Sequence, residues 1–114
     1  ASYGDLWWGG TAENGWGVVL NQQYRTLFPV WYTYDNGGRT QWYVANGSWT
    51  AANTWTGTAY RTTSSSWGAA YNPAAFASSA VGSMTLTLTD LNNAVMSYTI
   101  DGVTGSKPLT RQPF

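Results

Sequence analysis

The feature that most constrains this fold is the alternation of apolar and polar residues with a period of two. In the segment 81–89, Met84, Leu86 and Leu88 alternate with serine or threonine, and the segment 95–100 alternates in the same way. Successive side chains of a β-strand point to opposite faces. Each segment therefore predicts a strand with one buried face. No stretch of the chain sustains a helical period.

The stretch 31–44 predicts two strands joined by a tight turn, and it carries five aromatic rings. The turn is Asp35-Asn36-Gly37-Gly38, in which Asn and Gly accept positive φ without strain. In the strand before the turn, 25–34, both faces carry apolar or aromatic side chains, so neither is a plain solvent face. Pro29 has no N–H to donate to a ladder and predicts a bulge or an edge position.

Other segments extend this pattern over the whole chain. We expect a first strand or a plug within 1–14, a turn at Asn46-Gly47 and a single helical turn at 72–77 with Asn72 as its N-cap. The remaining predicted strands are 15–21, 39–46, 54–62, 67–71 and 106–111.

Short connections between neighbouring strands favour one architecture. We expect a single all-β domain over 1–114, folded as an antiparallel up-and-down β-barrel of about eight strands. A two-sheet β-sandwich is the alternative. An eight-stranded barrel either fills with side chains or holds one small ligand.

Charge and composition limit the partners. Charged residues make up 9% of the chain and the formal net charge is zero, whereas an average domain is about 25% charged. Phosphate binding requires clustered Lys and Arg, so we expect no nucleic-acid partner. No run of about 18 apolar residues exists, so we expect no membrane insertion.

The residue types also suggest where the protein works. The chain has no cysteine, so disulfides do not fix its redox compartment. It shows no signal peptide and begins at Ala1, which suits a processed or excised domain. Abundant Thr, Ser, Asn, Gly and Trp with few charges is common in secreted bacterial binding modules. We therefore expect a secreted or extracytoplasmic protein.

Catalytic chemistry finds little support in the sequence. There is no histidine, the commonest general acid–base residue. Most acidic residues fall in turn signals, which leaves Asp5 and Glu13 as the one conceivable carboxylate pair. Ser106 and Lys107 are neighbours on a strand and so point to opposite faces. Metal-ligand spacings are absent. We expect no enzyme, no cofactor and no metal site.

The aromatic residues supply the main functional hypothesis: there are 8 Trp, 8 Tyr and 3 Phe. Trp and Tyr combine a flat apolar face with a polar edge, at low entropic cost on binding. Sugar rings stack on such faces while their hydroxyls bond to Asn, Gln, Thr or Arg. Some rings must fill the core, but we expect others to be exposed. The candidate ligand-binding residues are Glu13, Trp16, Trp31, Tyr32, Tyr34, Arg39, Trp42, Tyr43, Trp55, Arg61 and Trp67.

Glu13 has two open interpretations. It is the only Glu in the chain and precedes Gly15-Trp16-Gly17. It can be a structural corner that accepts backbone hydrogen bonds, or a polar anchor beside Trp rings at a barrel mouth. The triplet Asn46-Gly47-Ser48 matches a glycosylation sequon, but a turn explains it fully.

Several Trp- and Gly-rich motifs occur along the chain: Trp7-Trp8, the segments 13–17, 31–34, 38–42 and 56–60, and the later Gly82, Leu86 and Tyr98. Together they resemble Trp- and Gly-rich modules of secreted bacterial proteins, which usually have no assigned function. In size and strand count the chain is also similar to avidin-like barrels, where a strand resembling 53–57 carries a Trp. This second likeness concerns the fold and not the ligand.

These observations favour a non-enzymatic ligand-binding module, in the first place a lectin-type domain for carbohydrate. One alternative is an interaction or assembly domain, for example one that forms a homo-oligomer. Its surplus aromatic residues would then lie in a subunit interface. Another is a carrier barrel for a small hydrophobic ligand.

Overall fold

The computed structural model describes all residues from 1 to 114 and forms a closed barrel of eight antiparallel strands. Each strand pairs with the next one in the chain, and β8 returns to pair with β1. The predicted up-and-down barrel is confirmed, and the two-sheet sandwich does not occur. The strands are β1 (Asp5–Trp8), β2 (Gly17–Gln23), β3 (Thr26–Tyr34), β4 (Thr40–Ala51), β5 (Thr54–Thr63), β6 (Ala77–Leu88), β7 (Asn93–Ile100) and β8 (Val103–Arg111).

The barrel interior is filled by side chains on the predicted inward faces. Val18 lies opposite Trp31 and Leu86 lies opposite Met96, and all four are buried. Residues two apart on a strand share a face, so one buried core runs through the middle of the barrel. This packing follows from the alternation in the sequence.

One predicted turn and one predicted strand are wrong, and several strands are longer than predicted. The expected turn at Asn46-Gly47 lies inside β4, where Gly47 faces Gly57 on β5. A Cβ on Gly47 would collide with the backbone of Thr56, so this glycine permits close approach of two strands and does not form a turn.

The segment 67–71 is also not a strand. It belongs to the loop between β5 and β6, which is held by its own hydrogen bonds: Ser64 Oγ to Tyr71 Oη at 3.1 Å and the Asn72 N–H to Ser65 Oγ at 2.8 Å. The predicted helical turn is confirmed as a 3₁₀ turn, Pro73–Ala75, capped by Asn72.

Pro29 lies within β3, and no register shift marks a bulge there. The ladder between β3 and β4 begins only at Val30. Pro29 therefore lies outside that ladder, but it is in register with Leu20 on β2 and the closed barrel has no edge strand, so neither the predicted bulge nor an edge position is found.

One end of the barrel is sealed, and it is called the closed end below. The Tyr3 and Trp49 rings lie 6.0 Å apart, and the Arg25 guanidinium lies 4.4 Å from the centre of the Trp49 ring. Arg111 contacts the Trp7 ring and forms an ion pair with Asp5 at 3.1 Å. The chain termini and the β2–β3, β4–β5 and β6–β7 turns lie at this end.

The opposite end is called the mouth. It carries the β1–β2 loop with its 3₁₀ turn Thr11–Glu13, the β3–β4 turn, the β5–β6 loop and the β7–β8 turn. Its predicted hairpin turn is confirmed, since the Gly38 N–H bonds to the Asp35 carbonyl and Gly38 has a φ of 76°. Both helical turns of the protein span three residues, and neither can cross a membrane.

Candidate functional site

A pocket of about 300 Å³ opens at the mouth of the barrel. It lies where β3, β4, β5 and β7 end or begin, so residues distant in sequence meet there. Aromatic rings, amides, carboxylates and one guanidinium share its walls. This mouth pocket is lined by Trp31, Thr33, Tyr34, Asp35, Asn36, Gln41, Tyr43, Arg61, Tyr98, Ile100, Asp101 and Val103.

Three aromatic rings form the floor of the mouth pocket. Trp31 lies between Tyr43, at a centroid distance of 5.3 Å, and Tyr98, at 5.0 Å. Trp31 and Tyr43 are directly opposite on β3 and β4. Tyr98 faces Gly105 on β8, and a Cβ on Gly105 would collide with the Tyr98 hydroxyl. Glycine at this position therefore allows Tyr98 its place beside Trp31.

The Trp31 indole N–H has no acceptor in the protein. It is the only buried side-chain nitrogen or oxygen without a hydrogen-bond partner. A buried donor left unpaired costs about 1–3 kcal/mol. This unpaired N–H is enclosed within the protein and has almost no exposed surface.

Two ion pairs stand at the rim. Arg61 Nη1 lies 2.8 Å from Asp101 Oδ2, and Arg39 Nε lies 3.3 Å from Asp35 Oδ2. The hydrogen bond from Arg61 to Asp101, followed by their charge attraction, raises the pKa of the Arg61 guanidinium. The backbone N–H groups of Arg39 and Gly37 lower the pKa of Asp35. Since each charge has an opposite partner, the rim is close to neutral.

A second concavity lies on the outer face of the barrel between β3 and β4, with a volume of about 400 Å³. The Tyr34 hydroxyl donates to the Gly15 carbonyl at 2.8 Å, and Tyr32 lies over Gly17, where a Cβ would come within 2.6 Å of its hydroxyl. These contacts fix both tyrosines toward β2. This outer trench is lined by Val30, Tyr32, Thr33, Tyr34, Thr40, Gln41 and Trp42.

Trp42 also borders a third concavity, of about 460 Å³, which is called the loop pocket. The β5–β6 loop supplies its other aromatic residues. Trp42 is 49% exposed and Trp67 is 95% exposed. The loop pocket is lined by Trp42, Thr62, Thr63, Ser64, Ser65, Trp67, Tyr71 and Phe76.

The structure therefore brings most of the predicted ligand-binding residues into one region. Trp31, Tyr34, Tyr43 and Arg61 line the mouth pocket. Tyr32 and Trp42 line the outer trench, which Tyr34 also borders. Trp67 lines the loop pocket, and Arg39 stands at the rim beside Asp35.

Trp55 was predicted in this set and does not belong to it. It is 1% exposed and lies opposite Trp49 and Leu86, in the core toward the closed end. It therefore presents no face to a ligand, and the parallel with the Trp-bearing strand of avidin-like barrels does not extend to a ligand contact at Trp55.

Glu13 and Trp16 lie at the seam between β1 and β8, and neither lines a pocket. β1 pairs with β8 at only two positions, Trp7 with Arg111 and Trp8 with Thr110. Nearer the mouth, Glu13 Oε1 accepts hydrogen bonds from Lys107 Nζ at 2.7 Å and from Trp16 Nε1 at 3.3 Å.

The backbone hydrogen bonds expected for a structural corner at Glu13 are not present, because its partners are the side chains of Lys107 and Trp16. The Lys107 ammonium lowers the pKa of Glu13, and Glu13 in turn raises the pKa of Lys107. Glu13 and Asp5 lie toward opposite ends of the barrel and are bonded to Lys107 and Arg111 respectively. They do not form a carboxylate pair. No group of acidic side chains is clustered for a metal.

Sequence reasoning missed Tyr98 and Asp101 as lining residues of the mouth pocket. The alternation at 95–100 predicts that Tyr98 points inward, but it does not predict its depth in the barrel. Asp101 stands in a β7–β8 turn that looks like any Asp-Gly turn. Only the closed register brings it to Arg61, 40 residues earlier in the chain.

Scans against protein-family models, curated proteins and solved structures find no match to this chain.

Proposed function

We propose that this protein is a non-enzymatic, extracytoplasmic carbohydrate-binding module whose primary site is the mouth pocket. The observation that carries the proposal is the aromatic floor that Trp31, Tyr43 and Tyr98 form beneath polar side chains. Flat rings suit the apolar C–H face of a sugar, and amide and guanidinium N–H groups suit its hydroxyl oxygens. Asn36, Gln41 and Arg61 supply such donors around the same pocket.

Its size favours a small ligand. Pockets for drug-sized ligands occupy about 300–1,000 Å³, and the mouth pocket, at about 300 Å³, lies at the bottom of this range. One sugar unit is the ligand size that this volume suggests. The filled interior below the floor leaves no lumen of the kind that a hydrophobic carrier needs.

Charge favours a neutral sugar. Both rim cations are already paired with carboxylates, through Arg61–Asp101 and Arg39–Asp35. A phosphate or a uronic acid would have to displace these carboxylates or approach them. Neutral hydroxyls can instead accept from Arg61 and donate to Asp101 without breaking the charge balance.

A glycan array followed by titration of intrinsic Trp fluorescence tests the proposal. We expect binding to neutral glycans with a change in fluorescence, because Trp31 lies in the site. Arg61→Gln should weaken binding by about tenfold or more, since hydrogen bonds to charged groups contribute about 1.5–3 kcal/mol.

Arg39→Gln is the matched control. It removes an arginine of the same rim and the same kind of ion pair, but Arg39 does not line the pocket. Its affinity should stay close to that of the wild type. A blank array, or equal losses in the two variants, would contradict the proposal.

An assembly domain is the second candidate function. One observation favours it: Trp42, Trp67 and Phe76 are exposed and line one surface concavity, the loop pocket. Large exposed apolar patches mark interaction sites in soluble proteins. A molar mass that rises with protein concentration would support this candidate.

A further inference from the structure

The mouth pocket and the outer trench are parts of one continuous surface. Thr33, Tyr34 and Gln41 line both of them, because β3 ends and β4 begins where the barrel wall meets the mouth. Trp42 then joins the outer trench to the loop pocket. A chain molecule leaving the mouth over Tyr34 and Gln41 would pass next over Trp42.

The outer trench differs in chemistry from the mouth. Its lining contains no charged residue. Its walls are rings, with the two tyrosines held toward β2 by Gly15 and Gly17 and with Trp42 half exposed on the opposite side. Rings held in place lose little freedom on binding. Such walls suit the flat apolar faces of successive sugar units and offer nothing to a charged polymer.

Resting on the function proposed above, we infer that the ligand is an extended neutral glycan. One unit occupies the mouth pocket, and the following units run over the rim at Tyr34 and along the outer trench against Trp42. The mouth contributes hydrogen bonds and selects the unit that enters. The trench contributes stacking and responds to chain length.

This arrangement predicts how affinity depends on length. For β-linked glucose, xylose and N-acetylglucosamine oligomers, from the monosaccharide to the hexasaccharide, calorimetric titration should show an affinity that rises with the first added units and then levels off. Each added unit that stacks on one ring should increase affinity by up to about tenfold.

Trp42→Thr separates the trench from the mouth. Threonine suits a strand, and Trp42 is half exposed, so the barrel should remain folded. We expect the variant to lose the length-dependent gain, about tenfold for the longest oligomer, while the affinity for the monosaccharide is unchanged. Phe114→Ala is the control, because Phe114 is a fully exposed ring near the closed end and far along the chain from the trench.

Each outcome has a distinct meaning. If no sugar of any length binds, the proposed function itself fails. If the monosaccharide binds but length and Trp42→Thr have no effect, the mouth pocket stands and the trench inference is overturned. If Trp42→Thr abolishes a concentration-dependent increase in mass without affecting sugar binding, a second copy of the chain occupies the trench, and the inference is again overturned.

Discussion

The two ends of the barrel carry the same types of side chain, tryptophan and arginine, in different bonding environments. At the closed end the Trp7 indole N–H donates to the Tyr3 carbonyl at 3.0 Å, and the Trp49 indole N–H donates to the Arg25 carbonyl. At the mouth the Trp31 N–H has no acceptor. The indole donors of the closed end are therefore bonded within the protein, whereas that of Trp31 is not.

The arginines show the same contrast. Arg111 and Arg25 lie over the Trp7 and Trp49 rings and help to seal the closed end. Arg61 stands at the wall of an open pocket, in an ion pair with Asp101. A barrel needs one sealed end to protect its core, and the other end of this barrel carries an open pocket that a ligand can enter. This difference is the physical reason for proposing a binding site at the mouth.

The largest expected effect comes from truncation at the closed end. Trp7→Ala removes a fully buried ring and should destabilise the protein by about 3–5 kcal/mol, as is usual for Trp in a core. Tyr34→Ala at the mouth should cost far less, because about half of Tyr34 is already exposed. Urea denaturation of both variants measures the contrast, and equal losses would show that the mouth is as much part of the core as the closed end.

The alternation of apolar and polar residues predicts part of this contrast between the two ends. It predicts which side chains point inward, but not how far along the barrel each one lies. Side-chain direction is set locally, so the inward faces of Met84, Leu86 and Leu88 were predicted correctly. Depth along the barrel is set by the register of distant strands. For this reason Trp55 and Trp31 look alike in the sequence, although both are buried and only Trp31 also lines the mouth pocket. The ion pair between Arg61 and Asp101 likewise depends on how distant strands are arranged in the closed barrel.

Gly105→Ala should have the next largest effect, and it acts at the mouth. The added Cβ would collide with the Tyr98 hydroxyl, so Tyr98 must move away from Trp31. Such overpacking costs about 1–3 kcal/mol. Near-ultraviolet circular dichroism should show the disturbed rings. Gly102→Ala is a control for loss of glycine alone, since a Cβ there meets no neighbour, although its φ of 80° adds some backbone strain. An unchanged aromatic spectrum for Gly105→Ala would contradict the close packing of the floor.

The unpaired donor itself can be tested by comparing Trp31→Phe with Trp49→Phe. Both changes shorten the ring, but only the second breaks an indole hydrogen bond and leaves the Arg25 carbonyl without that donor. Trp49→Phe should therefore be more destabilising by about 1 kcal/mol. Denaturant midpoints give the comparison. A larger loss for Trp31→Phe would mean that the Trp31 N–H does have a partner in solution.

The smallest expected effect is acid sensitivity at both ends. Lys107 lowers the pKa of Glu13, and the Leu6 backbone N–H together with Arg111 lowers that of Asp5. Because the ordinary values are 4.5 for Glu13 and 3.8 for Asp5, the unfolded chain binds more protons as the pH falls below them. Stability is then full above about pH 4.5 and declines toward the lower folded pKa values. Lys107 acts in the opposite direction. Because its pKa is raised in the folded protein, its contribution to stability is full below pH 10.5, its ordinary value, and is lost only as the pH rises above that value.

Single variants assign this acid-dependent loss to the two ends. Urea midpoints are compared from about pH 3 to about pH 7. Glu13→Gln should reduce the part of the pH dependence of stability that arises at the seam near the mouth. Asp5→Asn should reduce the part that arises at the closed end. Asp35 and Asp90, whose pKa values backbone hydrogen bonds also lower, remain in both variants as a common background. Each effect should be small, because exposed ion pairs contribute little. A slope unchanged in Glu13→Gln would mean that the contact with Lys107 does not persist in solution, and that the seam near the mouth is held by Trp16 packing alone.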